Sequence, residues 1–310
     1  MIPFFDGAAV RAAVSPASAF EAVRDAFVAY ARGEWSMPPK VYVPAYPDGD
    51  FRAMPALGAG HALLKWVTSF PGNPVHGLPT VTGLVLLSDA TDGTLRAVLD
   101  AGAVTALRTG AAAVLASETL GRQDAATAAV VGAGVNGKAT LESFVAQGRQ
   151  PLVWDVDSAR AEAAAAELGA RAVSRDEALA ADLLVTVTPG KDVVLGPGAL
   201  APGQHVSLMG ADGPGKAEIA LEELVRARVF CDDWEQASHN GELAHAVEAG
   251  RLGREAVTEL GAVLAGAAPG RAGDDETTVF DSTGLAIQDL AIALAALERA
   301  SELDLPELSL

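Results

Sequence analysis

The sequence predicts an α/β protein of two domains, one of which is inserted into the other. Two observations predict this fold class: strand and helix signals alternate through the middle third of the chain, and both flanks show a different pattern. The chain has 310 residues, which is enough for two domains of ordinary size or for one barrel. The pattern of the flanks favours two domains.

The alternating region begins with an apolar strand over 127–131, a helix over 139–146 and a strand over 152–154. Ser158 is a candidate N-cap for a helix that Gly169 ends, and Ser174 with Glu177 forms a candidate capping box. Later elements are expected as strands over 183–188, 205–208 and 229–231 and as a helix over 235–249. Strands separated by helices of this length predict right-handed crossovers and a parallel sheet.

The flanks predict the second domain. Short apolar runs broken by Pro and Gly over 41–99 favour an antiparallel or mixed sheet, with helices over 16–32 and 103–120. A last apolar helix over 283–300 is expected to return to the first domain, after a Gly- and Ala-rich linker over 261–273. We therefore expect one discontinuous domain over 1–121 and 275–310 and an inserted domain over 122–274.

Gly132, Gly134 and Gly137 form a G-x-G-x-x-G pattern between the first strand and helix of the alternating region. In this pattern the first glycine permits a tight turn and the second lets the backbone approach a pyrophosphate at the helix N-terminus. The third lets helix and strand pack closely. Asp155 closes the next strand, at the spacing of a carboxylate that binds ribose hydroxyls. The pattern predicts a Rossmann domain that binds NAD(H), since Asp155 would repel the 2′-phosphate of NADP(H).

Thr186 and Thr188 end a central strand of the predicted sheet. Because open α/β sheets bind ligands at the carboxyl ends of their strands, both threonines are candidate cofactor contacts. The alternative is that each is simply a β-branched strand residue.

Composition excludes several classes of protein. Lys and Arg total 22 against 40 Asp and Glu, so the net charge of −18 leaves no basic field for a nucleic acid. The N-terminus does not resemble a signal peptide, and the longest uncharged stretch is broken by Pro and Gly, so we expect no membrane segment and a cytoplasmic protein. The single cysteine, Cys231, cannot form an internal disulfide, and the histidine spacing indicates no metal site.

Two cations stand in apolar surroundings. Lys65 lies in an otherwise hydrophobic strand, and Arg108 lies among small and apolar residues of a helix. A buried ammonium needs an anion, and a guanidinium can bind a carboxylate with two parallel hydrogen bonds. Lys65 therefore needs an anionic partner, and Arg108 is a candidate ligand of a carboxylate.

Several stretches, in chain order from about residue 37 to the C-terminus, carry a resemblance to a known family. They are Lys65, Phe70-Pro71-Gly72-Asn73, Gly77-Leu78-Pro79-Thr80, Asp100 with Thr105-Ala106-Leu107-Arg108-Thr109, the glycine-rich turn, Gly210-Ala211-Asp212-Gly213-Pro214-Gly215-Lys216, and Asp281-Ser282-Thr283-Gly284-Leu285-Ala286 with Asp289-Leu290. In these stretches the chain resembles the ornithine cyclodeaminase/mu-crystallin family.

The resemblance implies a homodimer whose subunits each have a Rossmann domain and a discontinuous substrate domain, with the sheet of the substrate domain in the dimer contact. It implies that Lys65 and Arg108 bind the substrate carboxylate and that Asp212 is the acid/base or the ligand of the amino group. Lys40 and Thr283 are further candidate substrate contacts. Candidate cofactor contacts outside the glycines are Thr80, Arg108, Val135, Asn136, Asp155, Met209, Lys216 and Ser282.

Two departures from the family pattern concern this site. Many members have an arginine directly after the proline pair near the N-terminus, where this chain has Lys40. The second contact to the substrate carboxylate is then made by the point charge of a lysine, or it is missing. Many members also have glutamine and alanine where this chain has Asn136 and Gly137, which should alter the phosphate contacts and keep the turn.

The expected activity is NAD(H)-dependent oxidoreduction at the C–N bond of a small amino acid. Hydride leaves Cα, Asp212 accepts a proton, and the resulting imine is attacked by a side-chain amine, as in ornithine cyclodeaminase, or by water, as in an alanine-type dehydrogenase. The reverse reaction would reduce a cyclic ketimine such as pyrroline-2-carboxylate. A non-catalytic NAD(P)H-binding protein like mu-crystallin is the alternative from another class, and the presence of Lys65, Arg108 and Asp212 together argues against it.

Each candidate also has a plain structural explanation. Lys65 could belong to a simple buried ion pair, Arg108 could lie on a helix surface, and Asp212 could be an acid in a Gly-Pro turn.

Overall fold

The computed structural model describes residues 1–190, 192–213 and 215–309. It divides into unit 1, Met1–Arg108 with Leu285–Leu310, and unit 2, Thr109–Gly284. The chain is an α/β protein in which unit 2 is inserted into unit 1, as the sequence predicts for the fold class.

The unit boundaries differ from the predicted ones. Helix α3 (Ala101–Leu120) crosses the first boundary, because its second half packs within unit 2, where Gly110 lies against the backbone of Ala139. Strand β14 (Thr278–Asp281) is a central strand of the unit 2 sheet. The crossing to unit 1 therefore follows β14, at 284/285, and the segment over 261–273 is not the crossing linker.

Unit 1 is a seven-stranded sheet with the strand order β15-β1-β6-β5-β4-β3-β2. Its pairs are antiparallel except β1 with β6. The elements are β1 (Ile2–Phe5), α1 (Gly7–Ala13), α2 (Pro16–Ala31), β2 (Val41–Ala45), β3 (Gly49–Gly58), β4 (His61–Ser69), β5 (Val81–Asp89), β6 (Leu95–Asp100), α11 (Ala286–Glu298) and β15 (Glu307–Leu308).

The two faces of this sheet differ in burial. Side chains alternate along β3 and β4, so Met54 and Lys65 point to the face that helix α11 covers. The opposite face carries exposed apolar side chains in register across four strands, including Val41, Trp66 and Leu84. Phe51 stacks on Trp66 on that face, with ring centroids 5.7 Å apart.

Unit 2 is an eight-stranded parallel sheet with the strand order β13-β12-β14-β11-β10-β7-β8-β9. Its elements are β7 (Ala128–Val131), α4 (Val135–Ala146), β8 (Leu152–Trp154), α5 (Ser158–Leu168), β9 (Arg171–Ala172), α6 (Arg175–Leu179), β10 (Leu183–Thr186), β11 (His205–Leu208), α7 (Leu221–Arg226), β12 (Arg228–Cys231), α8 (Trp234–Asn240), α9 (Glu242–Glu248), β13 (Val257–Glu259), α10 (Leu260–Leu264) and β14. The chain moves outward from β7 in one direction through β8 and in the other through β10. Such a switch point opens a crevice at the carboxyl ends of the strands.

Local contacts explain where the elements differ from prediction. The helix expected over 235–249 is two helices, α8 and α9, because the backbone at Gly241 is extended, with φ −99° and ψ −169°. Leu243 N, at the start of α9, donates to the Asp281 carboxylate, and a Cβ on Gly241 would collide with that carboxylate. Asp157 and not Ser158 caps α5, since its carboxylate accepts from Arg160 N. Gly169 ends α5 in the left-handed conformation, as predicted. Ser174 accepts from Glu177 N, which is one half of the predicted capping box, and the Glu177 carboxylate accepts from Arg171 Nη2.

Across the described ranges, the helices are all too short or too polar to span a membrane.

Candidate active site

The glycine-rich turn joins β7 to α4. Gly132 has a φ of +106°, a conformation that favours glycine, and a Cβ on Gly137 would collide with the carbonyl oxygen of Gly132. Gly134 is different: its φ is −72°, and a Cβ there would meet no atom within 4 Å. The turn of this chain therefore requires the first and third glycines, which corrects the expectation that alanine at position 137 would keep the turn. The second glycine faces open space.

Helix α4 begins directly at this open side. Gly134 is its N-cap, and among the described residues no side chain forms a capping hydrogen bond with this end of the helix. Val135, the first helical residue, is 66% exposed, and Asn136 is half-buried. Free amides and the helix dipole at a helix N-terminus attract anions, so this end of α4 can accept a phosphate group.

Asp155 follows β8 and is tied to the same turn. Its Oδ2 accepts from the backbone amide of Ala133 at 2.7 Å, and its Oδ1 accepts from Asp157 N at 2.9 Å. The structure thus brings Asp155 and the three glycines together, as the spacing predicts.

Thr186 and Thr188 lie at the end of β10, but their hydroxyls are engaged. Thr186 Oγ1 donates to Glu218 Oε2 at 2.8 Å, and Thr188 Oγ1 donates to Glu218 Oε1 at 2.6 Å. Gly210 N and Thr188 N also donate to this carboxylate. Both hydroxyls therefore donate to one buried acid, and the expectation that Thr186 and Thr188 contact the cofactor stays a prediction.

Sequence reasoning missed Glu218. It is fully buried and lies between Ala217 and Ile219, and an acid in such an apolar run is the signal that could have identified it. Burial raises the pKa of the Glu218 carboxyl, and the bonds from Thr188 and Thr186 oppose that rise. Glu218 connects the end of β10 to Gly210, the residue that begins the Asp212 segment.

Two more buried acids lie beside Glu218. Glu242 Oε1 accepts from Glu218 N, and Asp281 Oδ2 accepts from Leu243 N at 2.9 Å. Burial raises the pKa of Glu242 to about 9, and the charges of Asp281 and Glu218 add to the rise. Burial likewise raises the pKa of Asp281 to about 8. Within the described ranges, no group of three or more such side chains has the arrangement of a metal site.

A further acid organises the segment that carries Ser282 and Thr283. Asp232 Oδ2 accepts from Ser282 Oγ at 3.0 Å, from Thr283 N at 2.7 Å and from Gly284 N at 2.8 Å. The two predicted site residues are therefore held together by one buried carboxylate that the sequence did not single out.

Asp212 and Lys216 are brought together as an ion pair, with Oδ1 and Nζ 2.5 Å apart. Both side chains are about one third exposed, at 35% and 32%, so protons can exchange with solvent here. Met209 is buried at the end of β11. Pro214, which belongs to the same motif, lies outside the described residues.

In unit 1 the structure joins Lys65 and Arg108 through Asp289, in the first turn of α11. Lys65 Nζ lies 2.9 Å from Asp289 Oδ1, and Arg108 Nε lies 3.5 Å from the same oxygen. The Lys65 and Asp289 side chains are 1% and 0% exposed, whereas that of Arg108 is 12% exposed. Asp289 lies 224 residues from Lys65 in the chain and was not identified as a site residue from the sequence.

A second ion pair lies nearby on the same face of the sheet. Arg52 Nε donates to Asp50 Oδ1 at 2.6 Å, and both residues are buried. Burial lowers the pKa of Lys65 to about 8; the Asp289 charge opposes this, and the charges of Arg108 and Arg52 add to it. These three cations and two carboxylates, Lys65, Arg52, Arg108, Asp50 and Asp289, are hereafter the cation cluster, which carries one excess positive charge.

The remaining predicted residues lie in loops of unit 1. Lys40 precedes β2, and Thr80 precedes β5, where its carbonyl accepts from Phe70 N at 2.8 Å. The cation cluster does not include either residue.

Unit 2 has the strand order and the glycine turn of a Rossmann dinucleotide-binding fold, here inserted into a discontinuous domain that carries a cation cluster. The sequence pattern of the ornithine cyclodeaminase/mu-crystallin family matches residues 6–304, and the chain belongs to this family. The resemblance seen in the sequence motifs is confirmed.

Relatives and solved structures match over nearly the full chain. An alanine dehydrogenase of Archaeoglobus fulgidus is 42% identical over 299 residues, 94% of this chain and 92% of that protein. The structure of an archaeal alanine dehydrogenase dimer with bound NAD has a TM-score of 0.92 at 40% identity, covering 97% of this chain and 96% of its own. The iminosuccinate reductase of Paracoccus denitrificans, in complex with NAD⁺, has a TM-score of 0.87 at 31% identity, and 97% of each chain is covered.

Proposed function

We propose that the protein is an NAD(H)-dependent dehydrogenase of a small α-amino acid, which interconverts the amino acid and its 2-oxo acid through an imine. The observation that carries the proposal is the excess positive charge of the buried cation cluster, which is suited to one carboxylate. The similarity to an alanine dehydrogenase supports the same reaction class.

The glycine turn and Asp155 fit NAD. The pyrophosphate would lie at the amides of α4, where Gly134 leaves open space, and the ribose hydroxyls would donate to Asp155. Its carboxylate would repel a 2′-phosphate, which favours NAD over NADP. The cofactor supplies the acceptor for a hydride. Further contacts are proposed for Thr80, Val135, Asn136, Met209, Lys216 and Ser282.

Arg108 is proposed to bind the carboxylate together with Lys65, because its planar guanidinium can form two parallel hydrogen bonds to a carboxylate. Lys40 and Thr283 are proposed as further substrate contacts. Asp212 is proposed to hold and release the proton of the amino nitrogen and then of the attacking water, since it can exchange protons with solvent. Lys216, at 2.5 Å, keeps a positive charge beside that carboxylate.

The charges of the cation cluster favour a dehydrogenase over an ornithine cyclodeaminase. A diamino acid brings a second ammonium group, which needs an anion. Both carboxylates of the cluster already have cation partners, Asp50 with Arg52 and Asp289 with Lys65. A small neutral side chain avoids this repulsion.

We also propose a homodimer that buries the exposed apolar face of the unit 1 sheet. Trp66 and Leu84 are 42% and 43% exposed and lie opposite each other on β4 and β5. An apolar sheet face of this kind is typical of an interface between protein chains. Sedimentation analysis measures the mass, and a monomer at micromolar concentration would contradict this proposal.

The test of the activity is a substrate panel. Alanine, serine, aspartate, ornithine and lysine are supplied with NAD⁺, and NADH, ammonia, 2-oxo acid and proline are measured separately. We expect NADH, ammonia and 2-oxo acid from alanine or serine and little from ornithine. Asp212→Asn should lose most turnover and keep NADH binding, whereas Asp176→Asn, an exposed acid of the same unit, should change neither.

Proline and ammonia from ornithine, without net NADH, would contradict the dehydrogenase and establish a cyclodeaminase. NADH binding without turnover in either direction, with pyrroline-2-carboxylate included as a ketimine, would establish the non-catalytic alternative.

A further inference from the structure

We infer that Asp289 is the positioning residue of the substrate site, which keeps Lys65 charged and aligned beside Arg108. The inference rests on the proposed role of Lys65 and Arg108 as carboxylate ligands. Asp289 itself is fully buried and acts through these two cations.

The geometry puts one carboxylate oxygen between two cations from different elements. Asp289 Oδ1, from α11, lies 2.9 Å from Lys65 Nζ on β4 and 3.5 Å from Arg108 Nε on α3. Strand register sets Lys65 opposite Met54 and Val85, which offer no hydrogen-bond acceptor of comparable strength on either side. The Lys65 ammonium is therefore held by Asp289, which lies on the helix that covers this face of the sheet.

The polar atoms around Asp289 are incompletely paired. Among the described residues, Asp289 Oδ2, Arg108 Nε and Gln288 Nε2 are buried side-chain atoms without a hydrogen-bond partner. Gln288 contributes only its Oε1, to Leu285 N at 3.2 Å and to Arg108 Nη1 at 3.5 Å. A structural ion pair would be expected to satisfy such atoms, because each unpaired buried group costs free energy. The unpaired atoms favour a cluster arranged for a ligand.

Electrostatics give Asp289 a specific task. The charged groups that face Lys65 are Asp289, Arg108 and Arg52, the last with its partner Asp50. Burial and the two arginines lower the pKa of Lys65 to about 8, and Asp289 opposes them through its charge and its hydrogen bond. Without Asp289 the pKa of Lys65 would fall further, and a smaller fraction of Lys65 would be charged at neutral pH.

The test is the pH dependence of carboxylate binding to the enzyme–NADH complex, measured by calorimetry with propionate. Propionate lacks the amino group of the proposed substrates, and its charge is constant above about pH 6. In the wild type, the affinity should fall as the pH rises through about 8. In Asp289→Asn the fall should begin about one pH unit lower or more, so that near neutral pH the variant binds propionate several-fold to about tenfold more weakly.

Two controls separate positioning from folding. Lys65→Arg keeps a charge that does not titrate, so its affinity for propionate should show no fall near pH 8. Asp289→Glu keeps the negative charge and should retain the wild-type pH dependence, which tests the inference if Asp289→Asn does not fold. NADH affinity should be unchanged in all three variants. A fall at the same pH in Asp289→Asn and the wild type would overturn the inference.

A readout without ligand distinguishes this inference from the proposed function. Between the pKa of Lys65 in Asp289→Asn and about 8, only the wild type binds a proton at Lys65 in the folded state. The advantage of the wild type in free energy of unfolding should therefore decrease as the pH rises through this window and stay constant above it. If propionate does not bind at all, the proposed function fails, and this stability difference still decides the role of Asp289. A difference that is constant with pH would overturn it.

Discussion

Unit 1 and unit 2 both bury charged groups, but with opposite excess. In unit 1 the cation cluster has three cations against two carboxylates, and ion pairs hold them. In unit 2 the buried acids Glu218, Glu242 and Asp281 are bonded by hydroxyls and backbone amides. A buried charge with a partner of opposite sign therefore stays ionised and can take part in ligand binding. Buried acids that lie close together have raised pKa values and bind protons instead.

We expect the largest effect on catalysis from a substitution of Arg108, which is proposed to bind the substrate carboxylate. Arg108→Lys keeps the charge and loses the planar fork, so we expect kcat/KM for the amino acid to fall about 100-fold, mainly through KM. Arg96→Lys, the same substitution at an exposed arginine of unit 1, should have no effect. Steady-state kinetics measure both, and equal kinetics of the two variants would remove Arg108 from the site.

A pair of glycine substitutions tests the proposed pyrophosphate site at the N-terminus of α4 in unit 2. Gly134→Ala places a methyl group in open space, so stability should be unchanged while NADH binding weakens about tenfold. Gly137→Ala forces a methyl group against the carbonyl of Gly132 and should cost about 1–3 kcal/mol of stability. Fluorescence titration and thermal unfolding separate the two effects. Unchanged NADH affinity in Gly134→Ala would show that no pyrophosphate lies there.

The third prediction concerns the buried acids of unit 2, Glu218, Glu242 and Asp281. The folded protein binds a proton at Glu242 up to about pH 9, whereas the unfolded chain releases it near the ordinary value of 4.5. Stability should therefore fall as the pH rises through this window, by up to about 1.4 kcal/mol per pH unit for this group. Glu242→Gln does not titrate, so its stability relative to the wild type should increase from pH 7 to 9. Denaturant unfolding at each pH measures the free energy of unfolding. In the control Glu162→Gln, at an exposed position, this free energy should change with pH as it does in the wild type.

The features that local sequence determines could be predicted. The strand, glycine turn and helix around Gly134 are contiguous, and Asp155 follows at a fixed spacing, so the pattern identified them without knowledge of the fold. The order of alternating strands and helices likewise predicted the parallel sheet of unit 2.

The features that depend on contacts between residues far apart in the chain could not be predicted from the sequence. The partner of Lys65 lies on a helix 224 residues later, and nothing near Lys65 in the sequence points to Asp289. The engagement of Thr186 and Thr188 depends on a glutamate that returns to the strand ends only in the folded unit. The break at Gly241 is a further case, because Leu243 N, at the start of α9, donates to the carboxylate of Asp281 on β14.

The raised pKa values of Glu242 and Asp281 also change how the acidity of the chain is to be counted. At pH 7 both groups are protonated in the folded protein and ionised in the unfolded chain. Folding at neutral pH therefore takes up protons at these two groups, and the folded molecule carries less negative charge than the −18 that the composition indicates. Proton release is accordingly part of the unfolding reaction, and buffers with different ionisation enthalpies will give different apparent heats of unfolding.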